Sequence, residues 1–377
     1  MVTDCEPDGV GRRVSGAGAD QQYMARALFH AARGSGRTSP NPLVGAVVVS
    51  HDGVVVGQGF HERAGGPHAE VHALTEAGSR ARGATLYSTL EPCCHQGRTG
   101  PCVSMIVEAG IARVVAAVED PNPAVRGRGF AFLRANGVSV DVGIGAETAV
   151  SLNRPFFTLM REGRPFVVLK AATSLDGRIA EAPGRRTLLT SDESNRHAHR
   201  VRAEVDAIAV GSGTILADDP ELTPRGAFRE RPLARVIFDR RLRTPPAARV
   251  LSTAGAGPVI IVTSADAADR AELRTPLEAR GAEIEVARDG SFEAALRPLA
   301  GREIGSLLLE GGAAVHGAAW DEGLVDYVRL YVTPHALGPG GVPLLPERSF
   351  SSADLVERRV VPLGPDVLIE GYVHRAR

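Results

Sequence analysis

Four side chains in the first third of the chain have the types and spacing of a zinc site. His68 and Glu70 stand two residues apart in "PHAEVHA", and Cys93 and Cys102 flank the segment "CHQGRTGP". One imidazole and two thiolates can bind Zn²⁺ tetrahedrally and leave the fourth position to water, whose pKa the metal lowers. Glu70 is close enough to move that water's proton without being a ligand. The set predicts hydrolytic deamination of an amino-heterocycle.

Two neighbouring residues leave the ligand set open. Cys94 and His95 directly follow Cys93, and either could compete for the metal. Adjacent cysteines seldom point at one ion, and Cys102 follows a proline at a predicted helix start, where the helix dipole favours a thiolate. Cys93 and Cys102 are therefore the preferred ligands. The alternative is a closed structural zinc site with His95 as fourth ligand and Glu70 as a helix cap.

A second candidate is Lys170, the only lysine among 43 basic residues. Since the chain uses arginine everywhere else, a lysine kept here indicates a need for a compact ammonium on a flexible stem. It lies in "VVLKAATSLDGRIA", a pattern typical of a strand followed by a turn. The alternative is that Lys170 remains by chance and only pairs with a nearby carboxylate.

Alternating helix and strand patterns must position these residues. His68 and Glu70 fall at a helix start, and Cys93 and Cys102 fall between a strand and the next helix. This alternation predicts a three-layer α/β domain. Its helices are predicted at 21–33, 69–78, 102–110 and 129–137, and its strands at 43–49, 53–60, 84–90, 112–118 and 138–144.

The length of 377 residues favours two domains. A second α/β series begins after Pro165 and contains strand patterns such as "FVVLKAA", "PVIIVTS" and "SLLLEGG". The predicted organisation is a flexible tail over 1–20, a first domain over 21–148, a connecting helix over 149–164 and a second domain over 165–377.

Composition narrows the class of protein. With 43 positive and 44 negative residues, the near-zero charge balance gives no support for a nucleic-acid or membrane partner. The sequence has no apolar run of membrane-spanning length, and its first twenty residues lack the apolar region of a signal peptide. Three clustered cysteines suit metal binding in a reducing compartment. We expect a cytoplasmic enzyme that acts on a small molecule.

These motifs carry a family resemblance. An H-x-E followed by P-C-x-x-C is the signature of the zinc-dependent cytidine and deoxycytidylate deaminases, although eight residues separate Cys93 from Cys102 here instead of two. The long spacing, "NPLVGAVVV" before it and "EDPNP" after it resemble one branch, the bifunctional riboflavin-biosynthesis deaminase–reductases. The resemblance covers the chain from about residue 21. It implies an α/β protein with an N-terminal three-layer cytidine-deaminase-like domain and a C-terminal dihydrofolate-reductase-like domain.

The resemblance also implies residue roles. In the first domain it places substrate contacts at Asn41, His61, Arg98 and Asp120; without it, Asn41 and Asp120 would be plain turn residues beside proline. In the second, Lys170 would lie beside the substrate ribose and polarise or protonate its open-chain carbonyl oxygen. Further substrate contacts are implied at Arg202, Leu222, Arg225 and Glu310, and contacts to NADPH at Ala172, Leu188, Thr214, Asp218, Gly311, Gly312, Ala313 and Ala314.

Some of these assignments have explicit alternatives. Arg202 and Arg225 would suit a clamp for a ribose phosphate, but either could equally be a surface arginine. Gly311 and Gly312 let backbone approach a ligand ahead of a helix start, although Gly-Gly turns are common. Leu188 stands where the family often has tryptophan, and the loss of that ring should weaken a stacking contact.

The resulting prediction is a zinc-dependent hydrolytic deaminase of 2,5-diamino-6-(5-phosphoribosylamino)pyrimidin-4(3H)-one, followed by NADPH reduction of the ribosyl group to ribityl. The expected partners are a pyrimidine ribose-phosphate substrate and further copies of the chain in a dimer or tetramer, with no nucleic acid or membrane. The alternatives are retention of one activity alone, a deaminase acting on another nucleotide or on nucleic acid, and a binding module with a degenerate first site.

Overall fold

The structure is a computed structural model that describes residues 17–95, 100–348 and 350–373. Internal contacts divide the chain into two units. The first contains Pro42–Asn153 and the described residues before Ser39; the second contains Ser39–Asn41 and the described residues from Arg154 onward. No described helix has the length and apolar character needed to cross a membrane.

The first unit is a sheet with helices on both faces. Its elements are α1 (Ala17–Ala32), β1 (Gly45–Val49), β2 (Val55–Phe60), α2 (Ala69–Ala77), a 3₁₀ turn (Gly78–Ala81), β3 (Thr85–Ser88), α3 (Cys102–Glu108), β4 (Arg113–Ala116), α4 (Arg128–Ala135), β5 (Ser139–Val142) and α5 (Ala146–Leu152). Its described strands have the order β2-β1-β3-β4-β5. Strand β1 is antiparallel to both of its neighbours, and β3, β4 and β5 are parallel.

Glycines on β1 and β2 let two helices lie directly on the sheet. A Cβ at Gly45 would lie 2.0 Å from the carbonyl oxygen of Ala27 on α1, and a Cβ at Gly57 would lie 2.1 Å from that of Ala73 on α2. Gly45 pairs with Phe60, so Gly57 and Gly45 point to opposite faces of the pleated sheet. Helices α1 and α2 therefore cover opposite faces of the sheet, which confirms the three-layer prediction. The glycines also determine how closely α2 packs on the sheet.

The second unit is also α/β. Its elements are α6 (Arg154–Glu162), β6 (Phe166–Thr173), β7 (Arg178–Ala180), α7 (Asp192–Glu204), β8 (Ala207–Gly211), α8 (Ser212–Asp218), β9 (Ala234–Phe238), α9 (Arg249–Ser252), β10 (Val259–Ser264), α10 (Ala265–Ala268), α11 (Ala271–Glu278), β11 (Ala282–Ala287), α12 (Phe292–Gly301), β12 (Ser306–Leu309), α13 (Ala313–Asp321), β13 (Tyr327–Val332), β14 (Val342–Pro343), β15 (Val356–Leu363) and β16 (Asp366–Tyr372), with 3₁₀ turns at Ala254–Ala256 and Ser352–Asp354.

Nine of its described strands form one sheet with the order β11-β10-β9-β8-β12-β6-β13-β16-β15. The pairs from β11 to β13 are parallel, whereas β16 is antiparallel to both β13 and β15. Strands β7 and β14 form a separate antiparallel ribbon. Strand β12 lies between β8 and β6, and the parallel strands bring the carboxyl ends of all three to one edge of the sheet, where ligands bind in open α/β sheets.

The structure corrects two local predictions. Helix α1 begins at Ala17, inside the segment predicted to be a flexible tail, because Asp20 accepts two hydrogen bonds from Arg113 at 3.0 and 2.8 Å; residues 1–16 lie outside the described residues. The single connecting helix is wrong. The chain leaves helical geometry at Asn153, whose side-chain amide hydrogen-bonds the backbone N–H and carbonyl of Leu43 at 2.7 and 2.9 Å and separates α5 from α6.

Candidate active sites

The first site is a cluster of one imidazole and two thiols. His68, Cys93 and Cys102 place their ligand atoms within 4.8 Å of one another, and no other such metal-binding group occurs in the described part of the chain. His68 Nδ1 lies 3.2 Å from Cys102 Sγ and 3.4 Å from Cys93 Sγ. The donor set suits Zn²⁺, which binds imidazole nitrogen and thiolate sulfur tetrahedrally. The structure thus assembles the ligand set predicted from the sequence.

Chain turns at two helix starts present these ligands. His68 is the N-cap of α2, and Cys102 is the first residue of α3 after Pro101. The backbone N–H of Cys102 points to Cys93 Sγ at 3.4 Å. Hydrogen bonds from Cys102 and His68 lower the pKa of the Cys93 thiol. The ionised thiol is the form that binds metal, so these hydrogen bonds favour the metal-binding state of Cys93.

The two competing ligands lie outside the cluster. Cys94 Sγ is 3.9 Å from the carbonyl oxygen of Ala124, and the side chain of His95 is exposed. Neither belongs to the group of ligand atoms around His68. Three protein ligands among the described residues leave a coordination position open, which argues against the closed structural site.

Glu70 is buried beside this cluster. Only 3% of it is exposed, Oε1 accepts a hydrogen bond from Ser88 Oγ at 3.0 Å, and Oε2 lies 3.6 Å from Cys102 Sγ. Burial raises the pKa of this carboxyl. A buried carboxyl whose pKa is raised holds a proton more readily than a surface carboxyl, as a group that carries protons must. Ser88 escaped the sequence analysis, because a serine ending an apolar strand carries no signal of its partner.

The predicted substrate residues of this unit have different surroundings. His61 is buried, with its ring 5.6 Å from that of His68, and Asp120 is buried with its pKa raised to about 7 by burial. Asn41 lies in the short segment Ser39–Asn41, which groups with the second unit through a hydrogen bond from Ser39 to Asp206. Arg98 lies outside the described residues. The substrate roles of all four stay predictions.

Glu91 organises the loop that carries Asp120, and the sequence analysis missed it. Its carboxylate accepts hydrogen bonds from the backbone N–H groups of Asp120, Gly127, Gly129 and Phe130, at 2.9 to 3.2 Å. Only 2% of Glu91 is exposed. One buried carboxylate therefore fixes the loop and the start of α4.

The second site is a cleft of about 440 Å³ in the second unit. Lys170 on β6 and Glu310 after β12 line it. Seven of the eight predicted cofactor residues also line it: Ala172, Thr214, Asp218, Gly311, Gly312, Ala313 and Ala314. The eighth, Leu188, does not line the cleft and is 82% exposed, whereas Leu189 does line it.

An ion-pair cluster stands at this cleft. Arg202 donates to Glu310 from Nε at 2.7 Å and from Nη2 at 2.6 Å, and Lys170 Nζ lies 3.9 Å from the same carboxylate. These two cations hold the pKa of Glu310 at about 2 despite burial, which alone would raise it. The surface alternative for Arg202 is wrong, because its side chain is only 16% exposed. The alternative for Lys170, pairing with a nearby carboxylate, is present as this contact with Glu310.

The remaining predicted substrate residues gather around Arg202 without lining the cleft. Arg202 Nη1 donates to the carbonyl of Thr223 at 3.2 Å, next to Leu222, whose side chain is buried in the core. The backbone N–H of Arg225 donates to Nδ1 of His199 at 3.1 Å, and the Arg225 side chain is exposed. The phosphate-clamp role of either arginine stays a prediction.

The helix start at this cleft suits a phosphate group. A Cβ at Gly311 would lie 2.5 Å from the Cα of Val210, and Gly312 has a φ of +65° at the N-cap of α13. Both positions therefore need glycine, and they let backbone N–H groups at the start of the helix face a phosphate. His316 on α13 also lines the cleft as a buried imidazole that the sequence analysis missed.

Comparison with known proteins assigns both units. Residues 18–118 match the family model of the cytidine and deoxycytidylate deaminase zinc-binding region, and residues 165–369 match that of the RibD C-terminal domain. The chain is 42% identical over 352 residues to riboflavin biosynthesis protein RibD of Aquifex aeolicus, covering 93% of this chain and 97% of that protein. It is 39% identical over 369 residues to RibD of Escherichia coli, covering 93% and 98%.

Solved structures agree with these matches. RibD of Acinetobacter baumannii superimposes with a TM-score of 0.83 at 35% identity, covering 94% of this chain and 99% of that one. A diaminohydroxyphosphoribosylaminopyrimidine deaminase/5-amino-6-(5-phosphoribosylamino)uracil reductase from Thermotoga maritima gives a TM-score of 0.79 at 35% identity, with the same coverage. The predicted combination of a cytidine-deaminase-like and a dihydrofolate-reductase-like domain is confirmed.

Proposed function

The chain belongs to the bifunctional riboflavin-biosynthesis deaminase–reductase family, and from that premise we propose the substrate, the cofactor and the residues of each reaction. It is a zinc-binding deaminase joined to a pyrimidine reductase. The substrate of the first reaction is 2,5-diamino-6-(5-phosphoribosylamino)pyrimidin-4(3H)-one, which loses its 2-amino group. The second reaction reduces the ribosyl group of 5-amino-6-(5-phosphoribosylamino)uracil to ribityl with NADPH.

In the first unit, His68, Cys93 and Cys102 hold the metal. Zinc at this position makes a water molecule acidic enough to act as a nucleophile at neutral pH. Glu70 takes the proton on Oε2, the oxygen on the cluster side, and delivers it to the leaving amino group as ammonia departs. Ser88 holds the other oxygen, so the carboxyl keeps its orientation between the two proton transfers.

In the second unit, Lys170 donates the proton that the reduced carbonyl oxygen requires. NADPH supplies the hydride. Glu310 holds the Lys170 ammonium electrostatically, and Arg202 keeps Glu310 ionised through two hydrogen bonds. The glycines before α13 and the helix start bind the cofactor phosphates.

A homo-oligomer and a cytoplasmic location also stay predictions.

The observation that carries the proposal is the assembly of three zinc-type ligands and a buried carboxyl in one unit, with a half-buried lysine in the cleft of the other. The test is a paired assay on the full chain with the diaminopyrimidine phosphate. Ammonia release is measured without cofactor, then NADPH oxidation after its addition, with zinc content determined in parallel.

Cysteine variants sharpen that assay. We expect Cys102→Ser to lose bound zinc and ammonia release, while Cys94→Ser keeps both, because only Cys102 belongs to the ligand cluster. Reduction of the deaminated substrate should be unchanged in both variants. A Cys102→Ser protein that retains stoichiometric zinc would contradict the ligand assignment, and a wild type that releases no ammonia would contradict the deamination.

A further inference from the structure

His316 is a buried side chain in the reductase cleft to which neither proposed reaction step gives a role. It lies on α13, is 1% exposed and lines the same cleft as Lys170 and Glu310. Neither ring nitrogen has a well-formed hydrogen bond among the described residues, although the backbone of Leu309 interacts with the ring. Natural proteins seldom leave a buried polar group incompletely hydrogen-bonded unless a ligand supplies the missing bond.

The ring is electrically neutral. Burial lowers the pKa of His316 to about 4 against the opposing effect of the Leu309 backbone, and the charges of Lys170 and Glu310 have smaller effects that lower and raise it. A neutral imidazole offers one N–H donor and one nitrogen acceptor. With the Leu309 backbone beside the ring, at least one nitrogen is left for a ligand, and an uncharged group that can both donate and accept would satisfy it in either tautomer.

The position of His316 along α13 identifies which part of a bound dinucleotide it meets. Gly312 is the N-cap of this helix, where a phosphate binds, and His316 lies four residues on, about 6 Å along the axis. The hydride-donating ring must lie near Lys170, which lines the same cleft. A nicotinamide ring carries a neutral carboxamide with one acceptor oxygen and one donor NH₂.

We propose that His316 hydrogen-bonds the carboxamide of the nicotinamide ring and so fixes the ring's orientation in the cleft. This inference rests on the proposed use of a nicotinamide cofactor. It assigns a cofactor contact to a residue beyond the Gly-Gly turn, and it gives the buried imidazole its missing hydrogen-bond partner.

The test measures equilibrium binding, without substrate or turnover. Titration calorimetry on the full chain gives the Kd of NADP⁺ and of its 3-acetylpyridine analogue, in which a methyl group replaces the carboxamide NH₂. We expect wild type to bind the analogue about tenfold more weakly, since a lost hydrogen bond costs about 1–1.5 kcal/mol. His316→Phe, which keeps a ring and removes both nitrogens, should bind the two ligands equally, and NADP⁺ about tenfold more weakly than wild type does.

Two further variants keep the test decisive. His316→Asn, which retains a donor and an acceptor, should restore part of the discrimination. His197→Phe replaces a half-buried imidazole that pairs with Tyr331 and does not line the cleft, and it should discriminate like wild type. Circular dichroism and thermal unfolding of each variant report that the second unit is folded.

The outcomes distinguish a failure of the His316 contact from a failure of the cofactor proposal. If His316→Phe discriminates between the ligands as wild type does, His316 does not contact the carboxamide and the inference is wrong. If His316→Phe leaves both Kd values unchanged and, in a separate steady-state assay, raises only the KM of the pyrimidine substrate, the imidazole faces the sugar, and the inference is equally wrong. If wild type binds no NADP⁺ at all, the cofactor proposal itself fails.

Discussion

Each unit of the chain buries one glutamate at its site, and the two carboxyls have opposite pKa shifts. Glu70 is 3% exposed, and burial raises its pKa. The side chain of Glu310 is 7% exposed, yet its pKa is held at about 2. The difference lies in their partners, because a serine hydroxyl donates to Glu70 whereas a guanidinium and an ammonium flank Glu310.

The comparison shows that burial alone does not determine the chemical role of a carboxyl. Desolvation favours the neutral acid, and adjacent cations favour the anion. Glu70 can carry a proton in both directions, which deamination needs twice. Glu310 keeps its charge near neutral pH and is a fixed anion beside Lys170, which is why the proposed reduction takes its proton from the lysine.

The largest expected effect is the loss of the proton carrier. Glu70→Gln keeps the shape and the hydrogen bond from Ser88 but cannot exchange a proton, so ammonia release should fall by about 10²–10⁴-fold. Zinc content and reduction of the deaminated substrate should stay at wild-type levels. Near-normal ammonia release would break the comparison, because Glu70 would then be no more a proton carrier than Glu310.

The next effect tests the lysine. Lys170→Met removes the ammonium and should lower reduction by about 10²–10³-fold, since in the proposed reaction this charged group meets the reacting oxygen. Lys170→Arg should fall almost as far, because a planar guanidinium cannot replace a compact ammonium in this cluster. Steady-state NADPH oxidation with deaminated substrate measures both, and ammonia release is the control. Wild-type reduction by the arginine variant would show that the lone lysine is an accident of composition.

The fixed anion predicts a pH effect. Burial lowers the pKa of Lys170 and the charge of Glu310 raises it. Lys170 must be protonated to act, so reduction is lost as pH rises through its pKa. Glu310→Gln removes the raising charge, and the alkaline loss of reduction should therefore move to lower pH. The profile of NADPH oxidation, normalised to each protein's own maximum, measures this shift. A profile that stays in place would mean that Glu310 does not set the charge of Lys170.

The smallest expected effect is the loss of Ser88, the uncharged hydrogen-bond partner of Glu70. Ser88→Ala removes the hydroxyl that orients Glu70, and ammonia release should fall by about tenfold, the value of one hydrogen bond. Reduction by the second unit is the internal control. A loss as large as that of Glu70→Gln would show that Ser88 takes part in the proton transfer and does not merely orient the carboxyl.

The sequence predicts rare chemistry better than ordinary packing. His68, Cys93 and Cys102 could be chosen in advance because their residue types are uncommon and their spacing matches a motif. The partner of Arg202 could not, since one arginine among forty-two carries no signal of which carboxylate the fold brings to it. Ser88 and His316 escaped for the same reason. The break at Asn153 depends on hydrogen bonds to Leu43, 110 residues away, which helical periodicity does not contain.

The contact made by Glu91 has a consequence for amide hydrogen exchange. Four backbone amides, those of Asp120, Gly127, Gly129 and Phe130, share one buried acceptor. Such amides open together and not one at a time, because freeing any of them means detaching the loop from the same carboxylate. In deuterated water the four amides of this loop should therefore exchange as slowly as those of a strand and with a single rate. They should form an isolated protected segment beside the cluster of His68, Cys93 and Cys102.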